Sequence, residues 1–306
     1  MAMKGILRPG LVQIRVMDVE AALSHYVDRL GLYKVGSDAG RAFLKGADEF
    51  EHHSVTLVEA DTPGMDFIAF KVMEEADLDH FEARVRAEGI AVAHIAAGEQ
   101  PGYGRRISFV APSGHTIQLF AHAEQSEPKP DLANPDIWPV EPHGMGARRF
   151  DHMQLNGVRV PETLDFFTRV LDFYLAEKVD DESGAPIAIW LTCGMKAHDV
   201  AFVDGGVPGR MHHAAFELAD WNAVGHAADI ITKYNLSIDL GPTRHGITRG
   251  RTIYFFDPSG NRTEVFAEGY TYYPDHPVRV WDKQSLGKGI FYYQRQLNDN
   301  FMNVVT

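Results

Sequence analysis

Apolar residues along this chain recur with two periods, one helical and one strand-like, and the whole arrangement occurs twice. Between Asp18 and Leu30, the residues Val19, Ala22, Leu23, Tyr26 and Leu30 return at three- and four-residue intervals, which predicts a helix with one buried face. A counterpart starts at Pro161, a residue suited to the first helical turn, and carries Leu164, Phe167, Val170 and Leu171 on one face. Each helix follows one strand-like segment and precedes several more. Each half closes on a hairpin: Ile107-Ser108-Phe109-Val110-Ala111-Pro112-Ser113-Gly114-His115 matches Ile253-Tyr254-Phe255-Phe256-Asp257-Pro258-Ser259-Gly260-Asn261 at an offset of 146 residues. Pro-Ser-Gly supplies the turn between the strands. Met65-Asp66-Phe67-Ile68-Ala69-Phe70 matches Met211-His212-His213-Ala214-Ala215-Phe216 at the same offset, so the chain is an internal duplication.

The two halves differ in their chemistry. Phe150-Asp151-His152-Met153, Met211-His212-His213-Ala214 and Asn261-Arg262-Thr263-Glu264-Val265 offer two imidazoles and one carboxylate from separate strand-like segments. Two neutral nitrogens and one anionic oxygen on one face of Fe(II) leave the opposite positions open for substrate and O2, which points to an oxygen-using metalloenzyme. At the corresponding places the N-terminal half has Leu11, Phe67 and Gln118, none of which holds Fe(II) well. One metal site per chain, in the C-terminal half, is the expectation.

Length and composition restrict the picture further. A chain of 306 residues suits two domains, and two cores are expected. Five of the 16 prolines (Pro128, Pro130, Pro135, Pro139 and Pro142) mark a stiff connector, which gives an N-terminal domain over 1–127, a connector over 128–146, a catalytic domain over 147–285 and a helical tail over 286–306. With 45% hydrophobic and 23% charged residues, and no apolar run near the roughly 20 residues that span a bilayer, a membrane protein is not expected. The opening residues lack the apolar segment of a secretory signal, and Cys193 is the single cysteine, so a reducing cytoplasm fits and the thiol is expected to be structural. A formal charge of -13 disfavours nucleic acid. Gly144-Met145-Gly146-Ala147-Arg148-Arg149 and Gly205-Gly206-Val207-Pro208-Gly209-Arg210 lack the closing residues of nucleotide-binding loops, so no nucleotide cofactor is expected.

Three stretches carry a family resemblance: Lys196-Ala197-His198-Asp199-Val200-Ala201-Phe202, Gly241-Pro242-Thr243-Arg244-His245-Gly246, and Thr252-Ile253-Tyr254-Phe255-Phe256-Asp257-Pro258-Ser259-Gly260-Asn261-Arg262. Through them nearly the whole chain resembles the type I extradiol ring-cleaving dioxygenases of the vicinal oxygen chelate superfamily. The resemblance implies an α+β fold of two tandem domains. Each would be made of paired βαβββ modules forming a partly open barrel, the vicinal oxygen chelate or glyoxalase/bleomycin resistance/dioxygenase fold, and a homotetramer is common. It places one Fe(II) on His152, His213 and Glu264, and outer catalytic roles on His198, His245 and Tyr254. It further implies meta cleavage of catechol or a substituted catechol by O2 to a 2-hydroxymuconate semialdehyde, in aromatic compound catabolism.

Each of these residues also has an ordinary reading. On a regular strand His212 and His213 point to opposite faces, so only one faces the interior; His213 is favoured because Ala215, on its face, leaves room, and His212 is expected in solvent or core. Tyr254 and Glu264 stand equidistant from Ser259 and should share a face across the hairpin. His198 alternates with Val200 and Phe202 and is expected on an apolar strand face, where a donor beside O2 is worth more than in water. His245 lies in a Gly- and Pro-rich loop and is the natural proton-transfer residue. The same fold also carries glyoxalase-like isomerases, whose sites draw more carboxylates from both modules, against which Phe67 and Gln118 argue. A metal-free sequestering protein of the bleomycin-resistance type is the non-enzymatic alternative.

Overall fold

Four βαβββ units in tandem build the molecule, whose computed structural model describes residues 5–306. The first runs β1 (Ile6–Val16), α1 (Val19–Leu23), β2 (Tyr33–Asp38), β3 (Arg41–Lys45) and β4 (Val55–Glu59). The second runs β5 (Gly64–Val72), α2 (Glu75–Ala87), β6 (Ala93–Ile95), β7 (Arg106–Val110) and β8 (Thr116–Phe120). After a stretch without strand or helix come β9 (Arg149–Gly157), α3 (Val160–Asp165), β10 (Tyr174–Asp180), β11 (Pro186–Thr192) and β12 (Val200–Asp204). The fourth unit is β13 (Arg210–Glu217), α4 (Trp221–Lys233), β14 (Ser237–Arg244), β15 (Gly250–Phe256) and β16 (Arg262–Glu268).

The first two units form an eight-stranded sheet in the order β2-β3-β4-β1-β5-β8-β7-β6. The last two form a sheet in the order β14-β15-β16-β13-β9-β12-β11-β10, extended to nine strands by β17 (Arg279–Asp282), which runs parallel to β10. In both sheets the opening strands of the two units lie antiparallel at the centre, and each also pairs in parallel with the closing strand of its own unit. The duplication is visible in register. Ala215 stands opposite both His152 and Glu264, just as Ala69 stands opposite both Leu11 and Gln118.

Two expectations are corrected. The Asp18–Leu30 helix, capped by the Asp18 carboxylate, is α-helical only to Leu23; its turns then widen over Ser24–Arg29, where Leu30 N–H donates to the His25 carbonyl. α3 widens in the same way over Phe166–Val170. An apolar stripe marks a helical face but does not reveal a widened turn. The tail over 286–306 carries two short helices, α5 (Leu286–Ile290) and α6 (Asp299–Asn303). There are not two separate cores, because the largest apolar cluster runs from Ile6 in the first unit to Ala267 in the fourth. The halves join so closely because each one's closing turn reaches into the other. Ser259 Oγ accepts Met17 N–H and Asn261 Nδ2 donates to the Arg15 carbonyl, while Gly209 N–H donates to the Ser113 carbonyl and His115 Nε2–H to that of Arg210.

Candidate metal centre

Three adjacent strands in the order β16-β13-β9 carry the three candidate ligands side by side. With neighbouring strands about 4.8 Å apart, Glu264 and His152 flank Ala215 from either side, and His213 lies two residues along on the same face. One ligand atom from each of His152, His213 and Glu264 lies within 4.8 Å of the others, and all three residues are buried. Glu264 Oε2 stands 3.1 Å from His152 Nε2 and 3.0 Å from His213 Nε2.

Two β-bulges prepare the imidazoles. In the β9–β13 ladder the register slips at Asp151 and again at His212, so each ligand histidine is preceded by an extra, unpaired residue. Each extra side chain bonds the Nδ1 of the histidine that follows it: Asp151 Oδ2 lies 2.9 Å from His152 Nδ1, and His212 Nδ1 lies 2.7 Å from His213 Nδ1. Burial works to raise the Asp151 carboxyl, but Lys196, 3.0 Å away, and the hydrogen bond from His152 hold it far below the usual range. His152 therefore donates from Nδ1 and points Nε2 toward Glu264.

The donor set fits a divalent cation. Both imidazole Nε2 atoms face Glu264 Oε2, and burial pushes His213 down to about 4. A neutral His213 then presents a nitrogen lone pair to a carboxylate oxygen at 3.0 Å, a repulsive contact that a metal ion between them turns into two bonds. The other carboxylate oxygen, Oε1, accepts from Thr252 Oγ1 at 2.6 Å, leaving Oε2 to the metal position.

The N-terminal half is plugged at the equivalent place. Leu11, Phe67 and Ala69 pack with Tyr103 and Phe120 into a small apolar cluster. Where Thr252 donates to Glu264, the residue 146 positions earlier, Arg106, donates from Nε to Gln118 Oε1 at 2.8 Å. Its guanidinium lies over the Phe67 ring and pairs with Glu99, so a fixed internal cation sits beside Gln118. Gly10, at the place of Asp151, has no room for a Cβ, which would meet Phe120 at 2.4 Å. Elemental analysis of fully active protein is accordingly expected to give one tightly held metal per chain, and two would contradict the plugged site.

The remaining candidates surround one cavity of about 710 Å³. Tyr254 pairs with Glu264 across the hairpin, as expected from its distance to Ser259. Its hydroxyl lies 2.7 Å from His245 Nε2, and His245 Nδ1–H donates to the Ile290 carbonyl at the end of α5. That anchor leaves His245 Nε2 as an acceptor, and burial holds the ring neutral. His198 differs from expectation: it stands in the loop ahead of β12, not on the strand, with its ring centroid 4.0 Å from that of His152. Its nitrogens make no hydrogen bond among the described residues, and burial pushes its pKa well below the ordinary value. His212 takes the core placement among those expected for it. The bulge turns it toward His213, and it is buried with Nε2 2.7 Å from the Phe301 carbonyl. Sequence reasoning gave Asp151 no role and His212 only a place in solvent or core; a polar residue directly before each strand histidine is the available signal. Cys193 donates to Asp199, with its thiol pushed up by burial, and faces no reacting group.

The chain is similar to known proteins along its length. The catechol 2,3-dioxygenase-like N-terminal domain matches residues 65–124, and the glyoxalase/bleomycin resistance protein/dioxygenase superfamily matches residues 149–265. A metapyrocatechase of Pseudomonas sp. (strain CF600) is 48% identical over 99% of both chains. A manganese-dependent 2,3-dihydroxybiphenyl 1,2-dioxygenase of Geobacillus genomosp. 3 is 28% identical over 94% of both. The crystal structure of the 2,3-dioxygenase LapB from Pseudomonas sp. KL28 superposes with a TM-score of 0.89 at 42% identity, covering 92% of this chain and 99% of that one. Four βαβββ units, a His-His-Glu cluster confined to the second pair, and near-half identity from end to end establish that this chain belongs to the extradiol dioxygenases of the glyoxalase/bleomycin resistance protein/dioxygenase superfamily.

Proposed function

We propose that the protein cleaves catechol or an alkyl-substituted catechol with O2, beside the diol, to a 2-hydroxymuconate semialdehyde, using one Fe(II) held by His152, His213 and Glu264. The observation that carries this reading is the convergence of two imidazole nitrogens on a buried carboxylate oxygen inside a cavity that also holds His198, His245 and Tyr254. Bound there, Fe(II) would acidify a diol hydroxyl and let the electrons of the ring reach O2.

The chain's own residues do the rest. His245 Nε2 is the base for a substrate hydroxyl proton, held in the right tautomer by the Ile290 carbonyl and free of its own proton at neutral pH. Tyr254, its phenol kept protonated by burial and by the neighbouring Glu264, donates a hydrogen bond to His245 and can pass it to the substrate oxygen. His198 has a neutral ring with unpartnered nitrogens, so it offers an N–H to the anionic oxygen that develops as the ring is attacked. Val179, Ile187, Trp190, Ile247, Leu286 and Ile290 line the cavity with apolar groups that exclude water and accept an aromatic ring and its alkyl substituents. The nearby cations Lys196 and Arg149 are each tied to carboxylates, which favours uncharged diols over acidic ones.

Anaerobic reconstitution with Fe(II), then exposure to catechol and air, should give the yellow semialdehyde with stoichiometric O2 uptake; no uptake with protein that has retained Fe(II) sinks the proposal. Ferricyanide should abolish activity while leaving the circular dichroism spectrum unchanged, and reductant with Fe(II) should restore it. Activity that survives ferricyanide would assign the work to another metal, such as the manganese of the Geobacillus relative. We extend the proposal to a homo-oligomer, a tetramer, in the cytoplasm. Ile137 and Trp138, 89% and 67% exposed on the connector, are apolar groups that a second subunit would cover. Among the described residues no helix is long and apolar enough to cross a membrane.

A further inference from the structure

We propose that His212 is a positioning residue, whose Nδ1 accepts the Nδ1–H of His213 and so fixes the tautomer in which His213 Nε2 faces the metal position. A chain of three hydrogen-bonding groups carries the inference. The Phe301 carbonyl, in α6, can only accept, so the 2.7 Å contact assigns the hydrogen to His212 Nε2. A His212 ring that donates from Nε2 offers Nδ1 as the acceptor, and the 2.7 Å contact between the two Nδ1 atoms then assigns the hydrogen to His213 Nδ1. His213 Nε2 is left with its lone pair, 3.0 Å from Glu264 Oε2.

The arrangement parallels Asp151 and His152 in position but differs in substance. Both positioning side chains are bulge residues directly before a ligand histidine. Asp151 uses a negative charge, itself held by Lys196. His212 uses an imidazole held by a backbone carbonyl nearly 90 residues away in sequence. That carbonyl is itself fixed. Arg262, buried in an ion pair with Asp239 at 2.9 Å, donates to the Val304 and Asn300 carbonyls, and Thr306 exchanges two backbone hydrogen bonds with Met211, the neighbour of His212. The C-terminal segment is thus clasped to the strand that carries His213, and metal retention depends on that clasp through His212. In the N-terminal half the same bulge position holds Asp66, which accepts from Gln13 and Arg15 and has no ligand beside it to orient.

The inference rests on the reading of His152, His213 and Glu264 as metal ligands, and its test separates the two. Parent protein, His212→Phe and His212→Asn are loaded anaerobically with Fe(II), and release to an excess of a colorimetric chelator is timed. His212→Phe keeps the bulk and loses the acceptor, and is expected to release iron roughly 10- to 100-fold faster. His212→Asn presents an oxygen near the place of Nδ1 and is expected to recover most of the retention. Equal release from parent and His212→Phe overturns the proposal, as does equal leakage from the Asn and Phe variants, which would make the role one of packing. Parent protein that itself holds no Fe(II) takes the ligand reading down with it. Should His212→Phe fail to fold, imidazole 15N shifts of the zinc-loaded parent decide: hydrogen on His212 Nε2 and His213 Nδ1 is expected, and hydrogen on His212 Nδ1 overturns the assignment.

Discussion

Glu264→Gln should leave no measurable turnover, whereas Gln118→Ala, at the equivalent place 146 residues earlier, should leave turnover largely intact. The two side chains occupy matching positions, Glu264 opposite Ala215 and Gln118 opposite Ala69. The amide in Glu264→Gln removes the only anion among the three ligand atoms and can turn an N–H toward the nitrogens of His152 and His213, which stand 3.1 and 3.0 Å from the carboxylate oxygen. Thr252 still holds the other oxygen, so the fold survives while the metal is lost. Gln118→Ala takes one acceptor from the buried Arg106, which keeps its ion pair with Glu99. Leaving part of a buried donor unpaired costs on the order of 1–3 kcal/mol of stability and no chemistry. Oxygen uptake and iron content of both variants decide the matter; a Glu264→Gln protein that still turns over, or a Gln118→Ala protein that has lost its iron, would contradict the assignment.

His245→Asn and His198→Asn should fail at different steps. The first removes the base at Nε2 that accepts from Tyr254 at 2.7 Å, and general acid–base groups contribute typically 10²- to 10⁴-fold in rate. None of the three ligands changes, so anaerobic catechol should still bind while turnover collapses. His198→Asn removes a donor that no protein group engages among the described residues; loss of one preorganised donor to an anionic oxygen costs on the order of 3 kcal/mol, roughly a hundredfold. The loss should appear as a raised KM for O2 or slower reaction of the anaerobic complex with oxygen. Stopped-flow mixing of each substrate complex with oxygenated buffer separates the two. If both variants bind catechol equally badly with normal iron content, both residues hold the substrate and the division of roles is wrong.

The modules and the clustering of His152, His213 and Glu264 could be read from the sequence because both depend on features with a fixed spacing. Pro-Ser-Gly turns at matching positions set the offset, and the offset exposed the contrast between Glu264 and Gln118. The pairing of Tyr254 with Glu264 followed from counting across the Ser259 turn. What escaped has a common physical cause. A bulge adds one residue to a strand and leaves no mark in an alternating pattern, so the orientation of His212 and the role of Asp151 were hidden although both sit beside the ligands. His198 was placed on a strand because its apolar neighbours alternate, yet the strand begins only at Val200. The plug formed by Arg106 needs tertiary structure to be seen, since a buried arginine reads in sequence as a surface charge.

The reciprocal seating of the two closing turns also bears on how the protein can be taken apart. The turn around Ser259 belongs to the half with the metal ligands but is anchored on Met17 and Arg15, and the turn around Ser113 is anchored on Gly209 and Arg210, a few residues from His213. The ligand set is thus complete within one half while the scaffold that fixes it is not. Excised alone, residues 147–306 would carry every chemical group of the reaction and half of a torn interior, so the smallest unit that can be handed down, truncated or grafted with its activity is the whole duplicated chain.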